Sequence, residues 1–250
     1  MTLSRAPLLQ VESVSRHFGG LVALESVSFT VGSDEMVGLI GPNGAGKTTL
    51  FNLISGLLPP TGGRITLSGE SIVGKRPDEI SALGAVRTFQ SVSLISGMTV
   101  RENVHTASLF RSPQKARKRP AGDVTHEALK VCELSHLTDS FVDTLSNADQ
   151  KRVEIARAIA SEPRLLMTDE ILAGLNASDG DRILGILRQL RARGISIIFV
   201  EHDMRSVMSI CDRIVVIAQG TKLADGTPAE VSRNPEVINV YLGGRYAEGI

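Results

Sequence analysis

The sequence predicts an α/β protein with a largely parallel sheet as its core, an antiparallel β region near the N-terminus and a helical insertion in the middle. Short aliphatic runs alternate with amphipathic helical patterns over most of the 250 residues, the order that produces parallel strands joined by helices. Residues 22–31 differ, because apolar and polar residues alternate there and β-branched side chains are frequent, which is typical of antiparallel strands. Residues 64–67 are expected nearby. Residues 98–145 follow a mainly helical pattern.

Three aliphatic runs predict fully buried strands, at residues 37–40, 165–168 and 195–200. A glycine-rich turn follows the first run, and a helix is expected from about residue 47 to residue 57. The apolar stripe of another amphipathic helix is formed by Ile183, Ile186, Leu187 and Leu190. Gly194 is expected to end that helix as its C′ residue.

The composition excludes several classes of protein. The chain has 27 basic and 27 acidic residues, and this balance argues against a nucleic-acid binder, which would carry a basic excess. Cys132 and Cys211 are too few for a disulfide framework or a cysteine zinc site, and they fit a reducing compartment. The longest apolar runs have the length of a strand, so neither a targeting segment nor a bilayer span is predicted.

Residues 111–120 contain five basic side chains and two prolines, which predicts an exposed loop. One interpretation is a solvated insertion. The other is contact with anionic lipid headgroups, where each basic side chain near a bilayer contributes about 1 kcal/mol.

A GxxxxGKT pattern lies between the strand at residues 37–40 and the helix that follows, which is the context this pattern requires. Its residues are Gly41, Pro42, Asn43, Gly44, Ala45, Gly46, Lys47 and Thr48, followed by Thr49. The glycines allow successive backbone N–H groups to point inward and bind an anion, and the helix N-terminus adds its dipole. Lys47 can reach the β- and γ-phosphates, and the Thr48 hydroxyl can ligate Mg²⁺. The pattern therefore predicts nucleotide binding.

Charged residues follow the other two predicted strands. Asp169 and Glu170 end the second strand, where one carboxylate can hold Mg²⁺ through water and the other can orient and deprotonate an attacking water. The third strand ends in Glu201, His202 and Asp203. Ligands of open α/β sheets bind outside the carboxyl ends of the strands, so these motifs are expected at one edge of the sheet.

The order of these motifs resembles that of the ATP-binding cassette (ABC) ATPases over nearly the whole chain. The resemblance implies a P-loop NTPase (RecA-like) fold, with ATP and Mg²⁺ bound and ATP hydrolysis coupled to transport across a membrane. It also implies a single nucleotide-binding domain. Residues 1–88 and 150–250 would form its nucleotide-binding core, and residues 89–149 a helical subdomain that contacts the membrane subunits.

The resemblance assigns a role to each motif residue. Phe18 would stack on adenine, and Lys47 would be the catalytic cation. Gln90 would be the Q-loop glutamine, a metal-sensing and catalytic residue that couples to the membrane subunit. Asp169 would hold Mg²⁺ together with Thr48 and Gln90, and Glu170 would be the general base. His202 would contact the γ-phosphate.

The signature segment of the family would be formed by Ser146, Asn147, Ala148, Asp149 and Gln150. It departs from the usual Ser-Gly-Gly-Gln, and the family closes two cassettes head-to-tail so that each site uses the partner's signature. We therefore expect a weak site where this segment is used, and a heteromeric pair with a second ATPase whose signature is intact. Two smaller departures are Ile171, in place of a proline, and Asn176, in place of the aspartate of many D-loops (residues 173–176).

Residues 18–24, 87–90 and 234–243 resemble the ATPases of branched-chain amino acid importers, a group that includes other small-solute importers. This likeness implies two permease subunits, a solute-binding protein and a peripheral position at the cytoplasmic face of the inner (plasma) membrane. Two alternatives remain open. One is the ATPase of an exporter for lipid or another large solute. The other is a soluble cassette that acts on nucleic acid or ribosomes, although such proteins usually carry two cassettes or a long coiled coil.

Overall fold

The computed structural model describes residues 7–88 and 93–240. They form two compact units. The first unit contains the described residues up to Pro77 and those from Ser196 onward, and the second contains those from Asp78 to Ile195.

The strands of the described residues are β1 (Leu9–Phe18), β2 (Leu21–Val31), β3 (Met36–Ile40), β4 (Gly62–Leu67), β5 (Glu70–Ser71), β6 (Ala85–Arg87), β7 (Leu165–Asp169), β8 (Ser196–Val200), β9 (Arg213–Ala218) and β10 (Thr221–Gly226). The α-helices are α1 (Lys47–Ile54), α2 (Pro77–Leu83), α3 (Val100–Leu109), α4 (Pro113–Lys118), α5 (Ala121–Val131), α6 (Asn147–Ala160), α7 (Ala177–Ala192), α8 (Met204–Ile210) and α9 (Pro228–Arg233). Two short 3₁₀ turns lie at Ser135–Leu137 and Val142–Thr144.

Two sheets organise the first unit. Strands β2, β1, β4 and β5 lie side by side in that order and are antiparallel, which confirms the antiparallel region and the expectation that residues 64–67 lie nearby. In the second sheet the order is β10, β9, β3 and β8, with β3 parallel to both of its neighbours. Every residue of β3 and β8 is buried, as a strand covered on both faces requires.

The second unit combines the parallel pair β6 and β7 with a group of packed helices, α3, α5 and α6. The predicted stripe of α7 is confirmed, because all four of its apolar residues are buried. Gly194 follows the C-cap of α7 with φ +87, and its N–H donates to the carbonyl of Arg191 at 2.9 Å. It therefore ends the helix as predicted. By contrast, α1 ends at Ile54, three residues earlier than expected, because Gly56 adopts φ +75.

Residues 111–120 are largely exposed, as predicted, but they form the helix α4 instead of a loop, and Arg111 is buried. Arg111 Nη1 lies 2.7 Å from Glu162 Oε2, and its side chain is 1% exposed. Lys115 Nζ donates to the Glu162 carbonyl at 2.6 Å, and Arg119 Nη1 lies 3.1 Å from Glu162 Oε1. The sequence does not predict the burial of Arg111 because its acidic partner, Glu162, is 51 residues away. Glu162 thus engages three of the five basic side chains, and Arg117 and Lys118 are exposed.

Within residues 7–88 and 93–240, no helix has the length and apolar character that a bilayer crossing requires. Both cysteines are buried and form no disulfide.

Candidate nucleotide site

The predicted phosphate loop (residues 41–48) joins β3 to α1 in the first unit. Lys47 begins α1 and is buried, and its Nζ donates to the carbonyls of Gly41 at 2.7 Å and Pro42 at 3.0 Å. The lysine side chain therefore folds back over the loop. Its ammonium group and the positive end of the α1 dipole both favour an anion at this position.

Two glycines of the loop are required by close backbone approach. A Cβ atom on Gly41 would lie 2.0 Å from the carbonyl oxygen of Ile217. A Cβ atom on Gly46 would lie 2.8 Å from the Ala23 carbonyl oxygen, and Gly46 also has φ +106, which L side chains rarely adopt. The glycines thus let the loop pack against β9 and β2 while its other face stays open, since Asn43 is exposed.

The end of β8 carries the predicted γ-phosphate residue. Because β3 and β8 are parallel neighbours, residues 201–203 emerge at the same sheet edge as the phosphate loop. Glu201 is buried and His202 is exposed. Asp203 caps α8, accepting from the N–H of Ser206 at 3.2 Å and from its hydroxyl at 2.6 Å. These hydrogen bonds identify Asp203 as the N-cap of α8, and they lower the pKa of its carboxyl group.

Phe18 lies at the end of β1, beside the turn that leads into β2. Its side chain is 42% exposed, so it is not a core residue of the antiparallel sheet. The guanidinium carbon of Arg16 lies 4.4 Å from the centroid of the ring. The position is suitable for stacking with a base, and the cation–π contact with Arg16 holds the ring.

In the second unit, Asp169 is the last residue of β7 and is buried. Arg87 Nη2 lies 2.7 Å from Asp169 Oδ2, and the two side chains are 8% and 5% exposed. The adjacent Glu170 is half-buried and has φ +51, which turns the chain away from the strand direction. Arg87 is not among the predicted site residues, and the signal that could have identified it is a charged residue close to the predicted Q-loop.

The signature segment forms the N-terminus of α6. The Ser146 hydroxyl accepts from the N–H of Asp149 at 3.1 Å and donates to Asp149 Oδ2 at 2.8 Å. The other carboxylate oxygen pairs with Arg152, which is 4% exposed and also donates to the carbonyl of Glu133 at 3.1 Å. Burial raises the pKa of Asp149, but the bonds from Ser146 and Arg152 outweigh burial and lower the pKa overall. The first turn thus holds its own anion.

Three further residues singled out in the sequence are Asn176, Ile171 and Gln90. Asn176 caps α7, because its side chain accepts from the Asp179 N–H at 2.9 Å, and an aspartate would serve there equally well. Ile171, which follows Glu170, is buried. Gln90 lies outside the described residues.

Two of the residues predicted to hold Mg²⁺ offer oxygen atoms, each in its own unit. Thr48, which is exposed at the start of α1, offers a hydroxyl oxygen and Asp169 a carboxylate oxygen, the hard donors that Mg²⁺ prefers. In the described part of the chain, no three acids, histidines or cysteines form a cage that could hold a metal ion. Mg²⁺ usually binds through one or two protein oxygens, substrate phosphates and water.

Comparison with known proteins identifies the protein family. Residues 24–173 match the family described as ABC transporter, and residues 221–247 match the family described as Branched-chain amino acid ATP-binding cassette transporter. The chain belongs to the ABC transporter family and is a transporter ATPase, which confirms the resemblance seen in the sequence.

Individual relatives are similar over almost their whole length. The high-affinity branched-chain amino acid transport ATP-binding protein BraF of Pseudomonas aeruginosa is 42% identical, over 95% of this chain and 98% of its own. The lipopolysaccharide export system ATP-binding protein LptB of Haemophilus influenzae is 33% identical, over 96% and 98%. The crystal structure of an ABC transporter cassette in its ADP conformation is 30% identical with a TM-score of 0.84, over 96% of this chain and all of that one (100%).

Proposed function

We propose that this chain powers the import of branched-chain amino acids or of a similar small polar solute. The observation that carries the proposal is the match of residues 221–247 to the branched-chain amino acid cassette family, supported by the 42% identity with BraF. In this proposal the chain lies at the cytoplasmic face of the plasma membrane. Two permease subunits hold it there, and a solute-binding protein delivers the solute.

ATP hydrolysis would proceed by positioning and electrostatics. Glu170 orients a water molecule and accepts a proton from it as the water oxygen attacks the γ-phosphate. Lys47 and His202 stabilise the negative charge that develops on the phosphate oxygens, and the backbone of residues 41–48 binds the phosphate chain. Phe18 holds the adenine ring.

Thr48, Gln90 and Asp169 would hold Mg²⁺. When it is bound, Mg²⁺ supplies positive charge that offsets the charge of the phosphate oxygens. The domain division implied by the family stays part of this proposal: residues 1–88 and 150–250 as the nucleotide-binding core, and residues 89–149 as the helical subdomain.

The role of Glu170 is tested by Glu170→Gln in the purified transporter. The amide fills the same space but cannot accept a proton, so ATP binding should persist while turnover falls strongly. Glu70→Gln on β5 is a control, since Glu70 is an exposed acid paired with Lys75 at 3.0 Å. A normal rate of hydrolysis by Glu170→Gln would remove Glu170 from the mechanism.

The capped signature segment supports a heteromeric pair of ATPase subunits. A serine hydroxyl that already donates to Asp149 is poorly available to a phosphate on the partner. The strong site would therefore combine this chain's Lys47 with the intact signature of a second ATPase. Lys47→Ala should remove most ATPase activity, and the equivalent change in the partner should cost much less. Equal losses from the two changes would contradict the asymmetry.

The direction of transport and the solute are tested in vesicles that contain the full transporter. ATP inside the vesicles should drive uptake of labelled leucine delivered by the solute-binding protein. The similarity to LptB favours one alternative, an exporter for lipid. ATP-dependent lipid extraction without leucine uptake would support that alternative.

A further inference from the structure

A buried ion pair links the end of β7 to β6. Arg87 Nη2 donates to Asp169 Oδ2 at 2.7 Å, and both side chains are less than a tenth exposed, at 8% and 5%. The two strands are parallel neighbours in register, with Arg87 opposite Met167, and the Thr88 N–H donates to the Met167 carbonyl at 2.9 Å. The backbone thus fixes where the guanidinium meets the carboxylate.

A carboxylate in such a position needs a countercharge, because an unpaired buried charge is strongly destabilising. A guanidinium can supply it, since its planar fork of donors matches a carboxylate. A divalent cation can supply it as well, because carboxylate oxygens are the ligands that Mg²⁺ and Mn²⁺ prefer. Arg87 and the metal therefore neutralise the same group.

We propose that Arg87 is a positioning residue that takes the place of the divalent cation beside Asp169. In the nucleotide-free chain it neutralises and orients the carboxylate, and it prevents Asp169 from binding a divalent cation before the nucleotide arrives. The inference rests on the proposed role of Asp169 as a Mg²⁺ ligand.

The test uses the full chain without nucleotide. Arg87→Met should lower the melting temperature by roughly 10 °C, since it leaves a buried carboxylate unpaired. Millimolar Mg²⁺ or Mn²⁺ should restore much of this loss in a saturable manner, while neither ion shifts the wild type. Electron paramagnetic resonance with Mn²⁺ should detect one bound ion in the variant and none in the wild type.

Two further variants separate this role from a merely structural one. Arg87→Lys keeps the positive charge and should behave as the wild type toward metal. The double variant with Asp169→Asn has no carboxylate to neutralise, so it should recover stability and lose the response to metal. If Arg87→Met does not fold, Arg87→Gln replaces it, because glutamine removes the charge but keeps a polar hydrogen-bond donor.

Two results would overturn the inference. One is a destabilised Arg87→Met that neither metal nor Asp169→Asn restores. The other is a wild type that binds Mn²⁺ without nucleotide as well as the variant does. Failure of the proposed function gives a different result: Asp169→Asn alone would then keep Mg²⁺-dependent ATPase activity.

Discussion

In the proposed pair of ATPase subunits, replacing Asp149 by glutamine is expected to strengthen the ATP site that this chain's signature segment completes on its partner. The change removes a carboxylate from the first turn of α6 and releases the Ser146 hydroxyl from its 2.8 Å bond. The freed helix N-terminus contributes about 0.3–1 kcal/mol toward a phosphate. The freed hydroxyl contributes about 1.5 kcal/mol as a donor to a charged group. Together these give about 2 kcal/mol, or roughly 30-fold in apparent affinity.

The assay isolates that site in the complete transporter. With Glu170 as the proposed general base, Glu170→Gln should silence the site on this chain's own phosphate loop. The residual ATPase activity should then come from the partner's loop and this chain's signature. Asp149→Gln on that background should lower the KM for ATP and raise the residual rate. Glu230→Gln is the matched control, because Glu230 occupies the same third position after the capping Thr227 in α9. Unchanged residual kinetics in a folded Asp149→Gln transporter would refute the reasoning.

The same carboxylate has a pH signature. Because its pKa lies below the ordinary 3.8, Asp149 contributes stability that is fully present above pH 3.8 and is lost as the pH falls through the folded value. Asp149→Asn should therefore destabilise the chain by about 2 kcal/mol at pH 7, the value of a charged hydrogen bond to buried Arg152. Urea unfolding should show the difference from wild type shrinking below about pH 4. A difference that is independent of pH would contradict this account.

Three further predictions concern nucleotide affinity, stability and thiol chemistry. Phe18→Ala should raise the KM for ATP about fivefold, the equivalent of about 1 kcal/mol of stacking, with little change in kcat; loss of cooperative unfolding instead would indicate a core role. Arg111→Met should cost about 3 kcal/mol in urea unfolding because it breaks a buried pair with Glu162, whereas Arg117→Met on exposed α4 should cost less than about 0.5 kcal/mol. Cys132 is fully buried and burial raises the pKa of its thiol, so a thiol reagent at pH 8 should label it only after unfolding, and rapid native labelling would contradict the structure.

Much of the site could be predicted from the sequence because its parts are contiguous. The phosphate loop, the acids at the end of β7 and the histidine after β8 each occupy a few consecutive residues. Their meaning depends on local rules: glycine for close backbone approach, a helix N-terminus for an anion, and a strand end for a ligand. The stripe of α7 and its end at Gly194 follow local rules in the same way.

Tertiary structure alone decided which charges meet. Arg87 and Asp169 are 82 residues apart, and Arg111 and Glu162 are 51 apart, so no local pattern pairs them. The basic segment at residues 111–120 therefore looks exposed in sequence but is partly buried in the fold. Composition counts charges, whereas the free energy of a buried charge depends on which opposite charge the fold brings to it.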